Sequence, residues 1–184
     1  MIYDLPTSVE INGVVRELRT DYRAALDVCV ALSDPELSSE DKAFALLGIL
    51  YPEWEEFEPR DLQEAVNKGL WFLNGGSDEE QTRKAPKLMD WEQDFQMIVS
   101  PINRVIGREI REPTPLHWWT FLSAYYEIGD CLFAQVVRIR DKKSRGKQLD
   151  KSEKEWYRQN RSLVDFKSTY TQAEQDLLSQ FSKK

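Results

Sequence analysis

A chain of 184 residues with a single histidine has few ways to perform acid–base or nucleophilic chemistry. The histidine is His117, in the string Pro115-Leu116-His117-Trp118-Trp119, and the two cysteines are Cys29 and Cys131. Every Ser-His-acid or Cys-His arrangement would depend on His117. Both cysteines lie in apolar stretches, which is typical of small buried thiols. We therefore favour a structural role for His117 at a helix start and predict that the protein is not an enzyme.

Acidic residues one helical turn apart form the pattern closest to a metal site. Asp90 and Asp94 are four residues apart with Glu92 between them, so their carboxylates share a helix face. A hard cation needs more oxygen ligands, and no neighbouring loop supplies them. The pair Gly75-Gly76 lacks the strand and the Lys-Ser or Lys-Thr of a phosphate-binding loop. The sequence predicts a solvated acidic helix face, no metal and no cofactor.

Aromatic residues crowd the segment after His117. They occupy two faces of one short helix, which is more aromatic surface than a single core stripe requires. Two interpretations stay open: the rings fill the core, or some of them bind a partner. The tail after Thr169 also has apolar residues at helical spacing, as in a helix that forms on a surface. The predicted partner-binding residues are Trp118, Trp119, Tyr125, Tyr126, Leu177 and Phe181.

Basic residues cluster in the segment 138–147. They are compatible with a docking patch for an acidic partner or with the solvated end of a helix. We favour the solvated end, because cations at a helix C-terminus are stabilised by the helix dipole. The residues are Arg138, Arg140, Lys142, Lys143, Arg145 and Lys147.

The overall composition excludes several classes of function. The net charge of -7 argues against a protein that coats nucleic acid, because that function requires a surplus of Lys and Arg. No stretch approaches the roughly 20 apolar residues that span a bilayer, and the first residues lack the pattern of a secretory signal. Two isolated cysteines indicate no disulfide framework. We expect a protein without nucleic-acid or membrane partners that stays in the cytoplasm where it is made.

The elements that position these residues are mostly helical, after a β-hairpin at about 8–18. Asn12-Gly13 separates two alternating β-branched runs, which predicts a type I′ turn. Apolar residues then recur at helical spacing. The predicted helices run from Asp21 to Asp34, Ser38 to Pro52, Pro59 to Leu73, Leu88 to Val105, Pro115 to Tyr126, Leu132 to Asp141 and Ser152 to Arg161.

Finer features follow from the same pattern. We expect Leu62, Val66, Leu70 and Leu73 to form one buried stripe, and Pro101 to kink or end its helix near Ser100. Polar residues predict a flexible connector at 74–87. The basic residues at 142–147 predict a linker, which precedes a capping box at Ser152. The predicted fold class is a mostly α, helical bundle-like domain with an N-terminal β-hairpin, α+β by strict count. Its predicted domains are a single globular domain at 1–145 and a helical C-terminal extension at 146–184.

Several strings together resemble the bacteriophage Gp15 family over most of the chain, to about residue 166. The most specific is the Leu-His-Trp-Trp-x-Phe string, and the helices between Leu26 and Leu73 match in general character. The segment around Pro101 and Arg104 is less apolar than the family pattern. The matching features are Leu5-Pro6, the hairpin Val9 to Leu18, Asp90-Trp91-Glu92-Gln93-Asp94, Leu116-His117-Trp118-Trp119-Thr120-Phe121, Phe133, Ile139 and Arg140.

The resemblance implies a role in tail morphogenesis. Family members are products of siphophages and prophages of Gram-positive hosts, encoded in the tail module near the tape-measure gene. This setting implies a tail assembly chaperone in the host bacterial cytoplasm that binds the tape-measure protein, a co-chaperone or tail-tube subunits. The alternative is a structural component of the phage virion, in the tail or connector. Self-association through the open edge of the hairpin is a further expectation.

Overall fold

The computed structural model describes residues 4–77 and 86–167. Within these ranges the chain forms one antiparallel hairpin and eight α-helices, which confirms the predicted fold class. Its internal contacts divide it into two compact units, 1–135 and 136–184. The predicted domains at 1–145 and 146–184 stay a prediction. No helix in the described ranges is long and apolar enough to cross a membrane.

The hairpin has the turn that its sequence predicts. Strand β1 (Ser8–Ile11) pairs with β2 (Val14–Glu17), with Ile11 opposite Val14. The turn residues Asn12 and Gly13 have φ angles of 48° and 82°, because a type I′ turn needs a positive φ at both central positions. The Asn12 side chain donates to Asp61 Oδ1 at 2.7 Å. The turn is thereby fixed to the start of a helix about 50 residues later.

Two helices with side-chain caps follow the hairpin. Helix α1 (Tyr22–Ser33) begins after Asp21, whose carboxylate accepts from Arg23 N. Helix α2 (Ser39–Leu50) begins with a capping box between Ser38 and Asp41. The two helices pack against each other, and a short 3₁₀ turn, Trp54–Glu56, follows α2.

Helix α3 (Leu62–Leu73) differs from the prediction in its start and its buried face. Pro59 lies in a turn before the helix, where Asp61 N donates to Glu58 O at 2.8 Å. The expected stripe is wrong, since Leu70 is 38% exposed. Small residues decide the face: a Cβ on Gly69 would lie 2.6 Å from Leu46 Cδ2, so only glycine lets α2 approach this closely. The buried residues of α3 are Ala65, Gly69, Phe72 and Leu73.

Helix α4 (Trp91–Ile106) continues through Pro101, so of the two expected outcomes the early end near Ser100 is wrong and the kink stays a prediction. Proline removes one amide donor, but Ile98 and Ile102 on either side are fully buried and hold the helix in the core. The helix ends at Gly107, whose φ of 79° is a left-handed C-cap.

Helix α5 (Trp118–Tyr126) begins three residues later than predicted. Leu116 and His117 are extended because they pair with the residues before α1: Tyr22 N donates to Leu116 O at 2.9 Å, and Trp118 N donates to Thr20 O at 2.7 Å. The core of the first unit surrounds this pairing. There the Tyr22 and Phe121 rings stack with centroids 4.8 Å apart.

Helix α6 (Leu132–Ser144) runs into the second unit, which also contains α7 (Lys151–Gln159) and α8 (Arg161–Val164). The basic linker predicted at 142–147 is wrong in its first half, since α6 includes Lys142 and Lys143. The cap of α7 is Asp150, which forms the capping box with Glu153, and Ser152 is inside the helix. Asp150 competes better because a carboxylate at this position also interacts with the helix dipole.

Candidate partner-binding surface

His117 uses both ring nitrogens to hold backbone groups. Its Nδ1 accepts from Trp119 N at 3.1 Å, which caps α5, and its Nε2 lies 2.9 Å from Pro6 O. Since a carbonyl accepts only, the contact with Pro6 O requires a proton on Nε2. The structure therefore places His117 at the helix start, as the sequence predicts, with no nitrogen available for proton transfer.

Two of the predicted binding residues hold the end of α3. Trp118 Nε1 donates to Leu73 O at 3.0 Å, and Trp119 Nε1 donates to Phe72 O at 2.8 Å. These carbonyls belong to the last turn of α3, where no amide of the helix can reach them. Trp118 is 1% exposed and lies in the core, whereas Trp119 is half-buried against Gly76.

The tyrosines of α5 differ in accessibility. Burial raises the pKa of Tyr125 to about 12, and its hydroxyl donates to Met89 Sδ at 3.1 Å. Tyr126 is 76% exposed. Leu177 and Phe181 lie outside the described residues. The binding role of all six predicted residues stays a prediction, and Tyr126 is the described one that a partner reaches most easily.

The predicted solvated acidic face is wrong for Asp94, although Glu92 between the two aspartates is exposed. Asp94 is fully buried and accepts from Asp90 N at 2.9 Å. Asp90 caps the helix through Gln93 N and binds Lys87 at 2.7 Å. Both carboxylates satisfy amides at a helix N-terminus, which have no other partner. In 4–77 and 86–167 no group of three or more His, Cys, Asp or Glu residues is placed to hold a metal ion.

The favoured solvated helix end is wrong for Arg140, which is buried, whereas Arg138, Lys143, Arg145 and Lys147 are exposed. Arg140 is 4% exposed, donates from Nε to Val164 O at 2.7 Å, and lies over the Phe166 ring. Lys142 pairs with Glu153, Lys143 Nζ lies 2.5 Å from Asp165 Oδ1, and Arg145 Nε lies 2.6 Å from Asp141 Oδ1. Arg140, Lys142 and Lys143 connect α6 to later residues of the second unit, whereas Arg145 pairs back onto the end of α6.

The cysteines are free and half-buried, less buried than the sequence predicts. Burial raises the pKa of the Cys29 thiol to about 11, so it stays protonated at neutral pH. A protonated thiol is a poor nucleophile. The Cys131 sulfur accepts from Ala134 N at 3.5 Å, near the start of α6.

An apolar groove between α1 and α4 was not predicted. Its cavity volume is about 380 Å³. The only signal in the sequence is the width of the apolar face of α1, where Tyr22, Leu26, Cys29 and Val30 recur at helical spacing. The apolar lining consists of Tyr22, Leu26, Val30, Trp91 and Phe95.

These features define a mostly helical protein in which the histidine and the paired tryptophans stabilise the fold, and in which an apolar groove lies between α1 and α4. The chain belongs to the bacteriophage Gp15 family: the family described as "Bacteriophage Gp15 protein" matches residues 1–166, which confirms the resemblance. It is a phage structural or morphogenesis protein. No curated protein and no solved structure shows significant similarity to it.

Proposed function

We propose that this protein is a non-enzymatic tail assembly chaperone that binds the tape-measure protein, tail subunits or both in the host cytoplasm. The observation that carries the proposal is membership of the phage family over residues 1–166. A long helical client with apolar faces needs protection until the tail tube forms around it. An acidic, helical protein with accessible apolar surface suits that task.

The environment of the reactive side chains supports binding rather than catalysis. Both nitrogens of His117 are held by backbone groups, and burial keeps the Cys29 thiol protonated. A general base needs a free lone pair within reach of its substrate, and a cysteine nucleophile needs a thiolate.

Co-expression with the tape-measure protein of the same phage tests the proposal. We expect the tagged protein to retain the tape-measure protein in a pulldown and to increase its soluble fraction. The matched control is co-expression with the major capsid protein, which should be neither retained nor solubilised. Equal recovery of both proteins, or no recovery of either, would contradict the chaperone function.

Family membership is equally compatible with a structural component of the virion. The two functions differ in the fate of the protein, because a chaperone leaves the finished tail and a structural component remains. Mass spectrometry of purified particles distinguishes them. Stoichiometric amounts in the particles would establish the structural role, and absence would favour the chaperone.

A further inference from the structure

We propose that the groove between α1 and α4 binds an amphipathic helix whose apolar face carries an adjacent lysine or arginine. The inference deepens the proposed function and rests on it, because such a helix would be a segment of the client. It also moves the expected binding surface away from α5, whose Trp118 ring is buried.

The apolar floor has contributions from both helices. On α1, Tyr22, Leu26 and Val30 follow one another at intervals of four residues. Tyr22 is buried at one end of this row, so Leu26 and Val30 supply its accessible part, which is about one helical turn long. Trp91 and Phe95 form the corresponding row on α4. The volume of about 380 Å³ lies within the range of about 300–1,000 Å³ found for ligand pockets.

The cations of the groove are compensated within the protein. Arg23 Nη1 lies 3.1 Å from Asp21 Oδ1, and its Nη2 donates to Ile110 O at 3.0 Å. Arg111 Nε donates to Glu109 Oε1 at 2.8 Å. These two arginines therefore contribute little free positive charge to the groove.

The carboxylates of the groove are not compensated. Asp27 and Glu92 line it and are exposed, and among the residues that the structure describes they form no hydrogen bond or ion pair through their side chains. The uncompensated charge is negative, beside an apolar floor. A partner with apolar side chains and a cation next to them is complementary to this surface.

The two helices that form the groove favour a helical partner over an extended one. The groove lies between two helices, whose backbone groups are hydrogen-bonded within each helix. An added strand needs a free sheet edge, which two helices do not offer. An amphipathic helix needs only side-chain contacts, with anchors at positions i, i+4 and i+7.

Two synthetic 15-residue peptides with the same leucine pattern test the charge preference, one with lysine and one with glutamate at the polar positions. Calorimetry with the full chain measures affinity, and the indole NMR signal of Trp91 reports the location. We expect the Leu/Lys peptide to bind and to shift this signal, and the Leu/Glu peptide to bind more weakly. No binding of the Leu/Lys peptide, or equal binding of both, would overturn the proposal.

Variants locate the site. The pair Asp27→Asn and Glu92→Gln should weaken the Leu/Lys peptide roughly tenfold, since each exposed ion pair contributes up to about fivefold. The control pair, Glu10→Gln and Glu17→Gln, removes the same charge from the exposed side chains of the hairpin and should leave affinity unchanged. Equal loss in both pairs would overturn the proposal by showing that only net charge matters.

A second pair of variants tests the apolar contacts of the proposed site. Val30→Ser should weaken binding, whereas Val105→Ser, at a similarly exposed valine of α4 outside the groove, should not. Equal effects would contradict an apolar groove site. These measurements use no phage partner, so their failure leaves the tape-measure pulldown intact, and a failed pulldown leaves the groove result intact.

Discussion

His117 combines two contacts that are far apart in the sequence. Through Nδ1 it caps α5, and through Nε2 it holds Pro6 at the beginning of the described chain. Asparagine is the side chain closest to reproducing the cap, because its oxygen also accepts from an amide two residues later. Comparing His117→Ala with His117→Asn therefore distinguishes a structural role of the side chain from a chemical role of the imidazole.

We expect His117→Ala to lower the free energy of unfolding by about 2 kcal/mol, since both a cap and a second hydrogen bond are lost. His117→Asn should lose about half as much and retain client binding. Urea denaturation and the tape-measure pulldown measure the two effects. A stable His117→Asn protein that does not retain the tape-measure protein in the pulldown would instead indicate that the imidazole has a role beyond the cap.

Gly76 shows how one ring fixes a neighbouring backbone position. Its φ is 86°, and a Cβ there would lie 2.7 Å from the Trp119 ring. The ring cannot move away freely because its Nε1 is bonded to Phe72 O. We expect Gly76→Ala to cost about 3 kcal/mol, from left-handed strain and overpacking together.

Gly13→Ala is the matched control for Gly76→Ala. Gly13 has a similar φ of 82°, but nothing lies within 4 Å of its Cβ position. Its replacement should cost only about 1 kcal/mol, from strain alone. Guanidinium denaturation of both variants makes the comparison, and equal costs would show that the Trp119 contact contributes nothing.

At the scale of elements, two substitutions at the start of α7 test which residue caps this helix. Asp150→Ala should lower the melting temperature, because it removes the capping box with Glu153. Ser152→Ala should have a smaller effect, since its hydroxyl only donates to Asp150 Oδ1. Circular dichroism melts of both variants check this. A larger effect of Ser152→Ala would show that Ser152 caps the helix, as the sequence predicts.

The sequence predicts correctly those elements that depend on residues close to them in the chain. The hairpin follows from Asn12-Gly13, and the start of α2 follows from Ser38 and Asp41, because each signal and its consequence lie within four residues. The buried face of α3 was not predictable, since it depends on how closely Leu46 approaches Gly69. The start of α5 depends on pairing between Leu116 and Tyr22, nearly a hundred residues apart.

The candidate site was predictable only in part. The helix-start role of His117 followed from its position before two tryptophans. The groove required two helices about 60 residues apart, and no periodicity reports which faces of α1 and α4 stay uncovered. Arg140 is basic and was therefore expected in solvent, but its partners are carbonyls more than twenty residues later.

At the scale of the whole molecule, Asp165 predicts an acid sensitivity. Burial alone would raise the pKa of Asp165, but hydrogen bonds from Lys143, Arg161 and Tyr157 outweigh burial and lower the pKa to about 2. A carboxyl group with a lowered pKa stabilises the fold above its unfolded pKa of about 4. This stability is lost as the pH falls from about 4 to about 2.

Thermal melts from pH 7 to pH 2 test the contribution of Asp165. Asp165→Asn should be less stable at pH 7 and should lose less stability between pH 4 and pH 2 than the unsubstituted protein, because its side chain does not titrate. Parallel stability curves for the two proteins would show that Asp165 does not contribute to the acid response.

Self-association also belongs to this scale and stays a prediction. Among residues 4–77 and 86–167, strand β2 has a neighbour on one side only, and Val14 and Val15 are 50% and 68% exposed. An open strand edge with β-branched residues is a template for pairing with another chain. We expect light scattering to detect a dimer that Val15→Lys weakens. A monomer at all concentrations would contradict the prediction.

The last carbonyls of α3 accept from the indole groups of Trp118 and Trp119 and also from the amides of Asn74, Gly75 and Gly76, which follow the helix directly. The end of the helix is thus closed by residues 74–76 together with α5. An epitope or a fluorescent reporter inserted between residues 78 and 85 should therefore leave the helix and its partners in place. This site offers a way to follow the protein during phage infection without labelling either terminus.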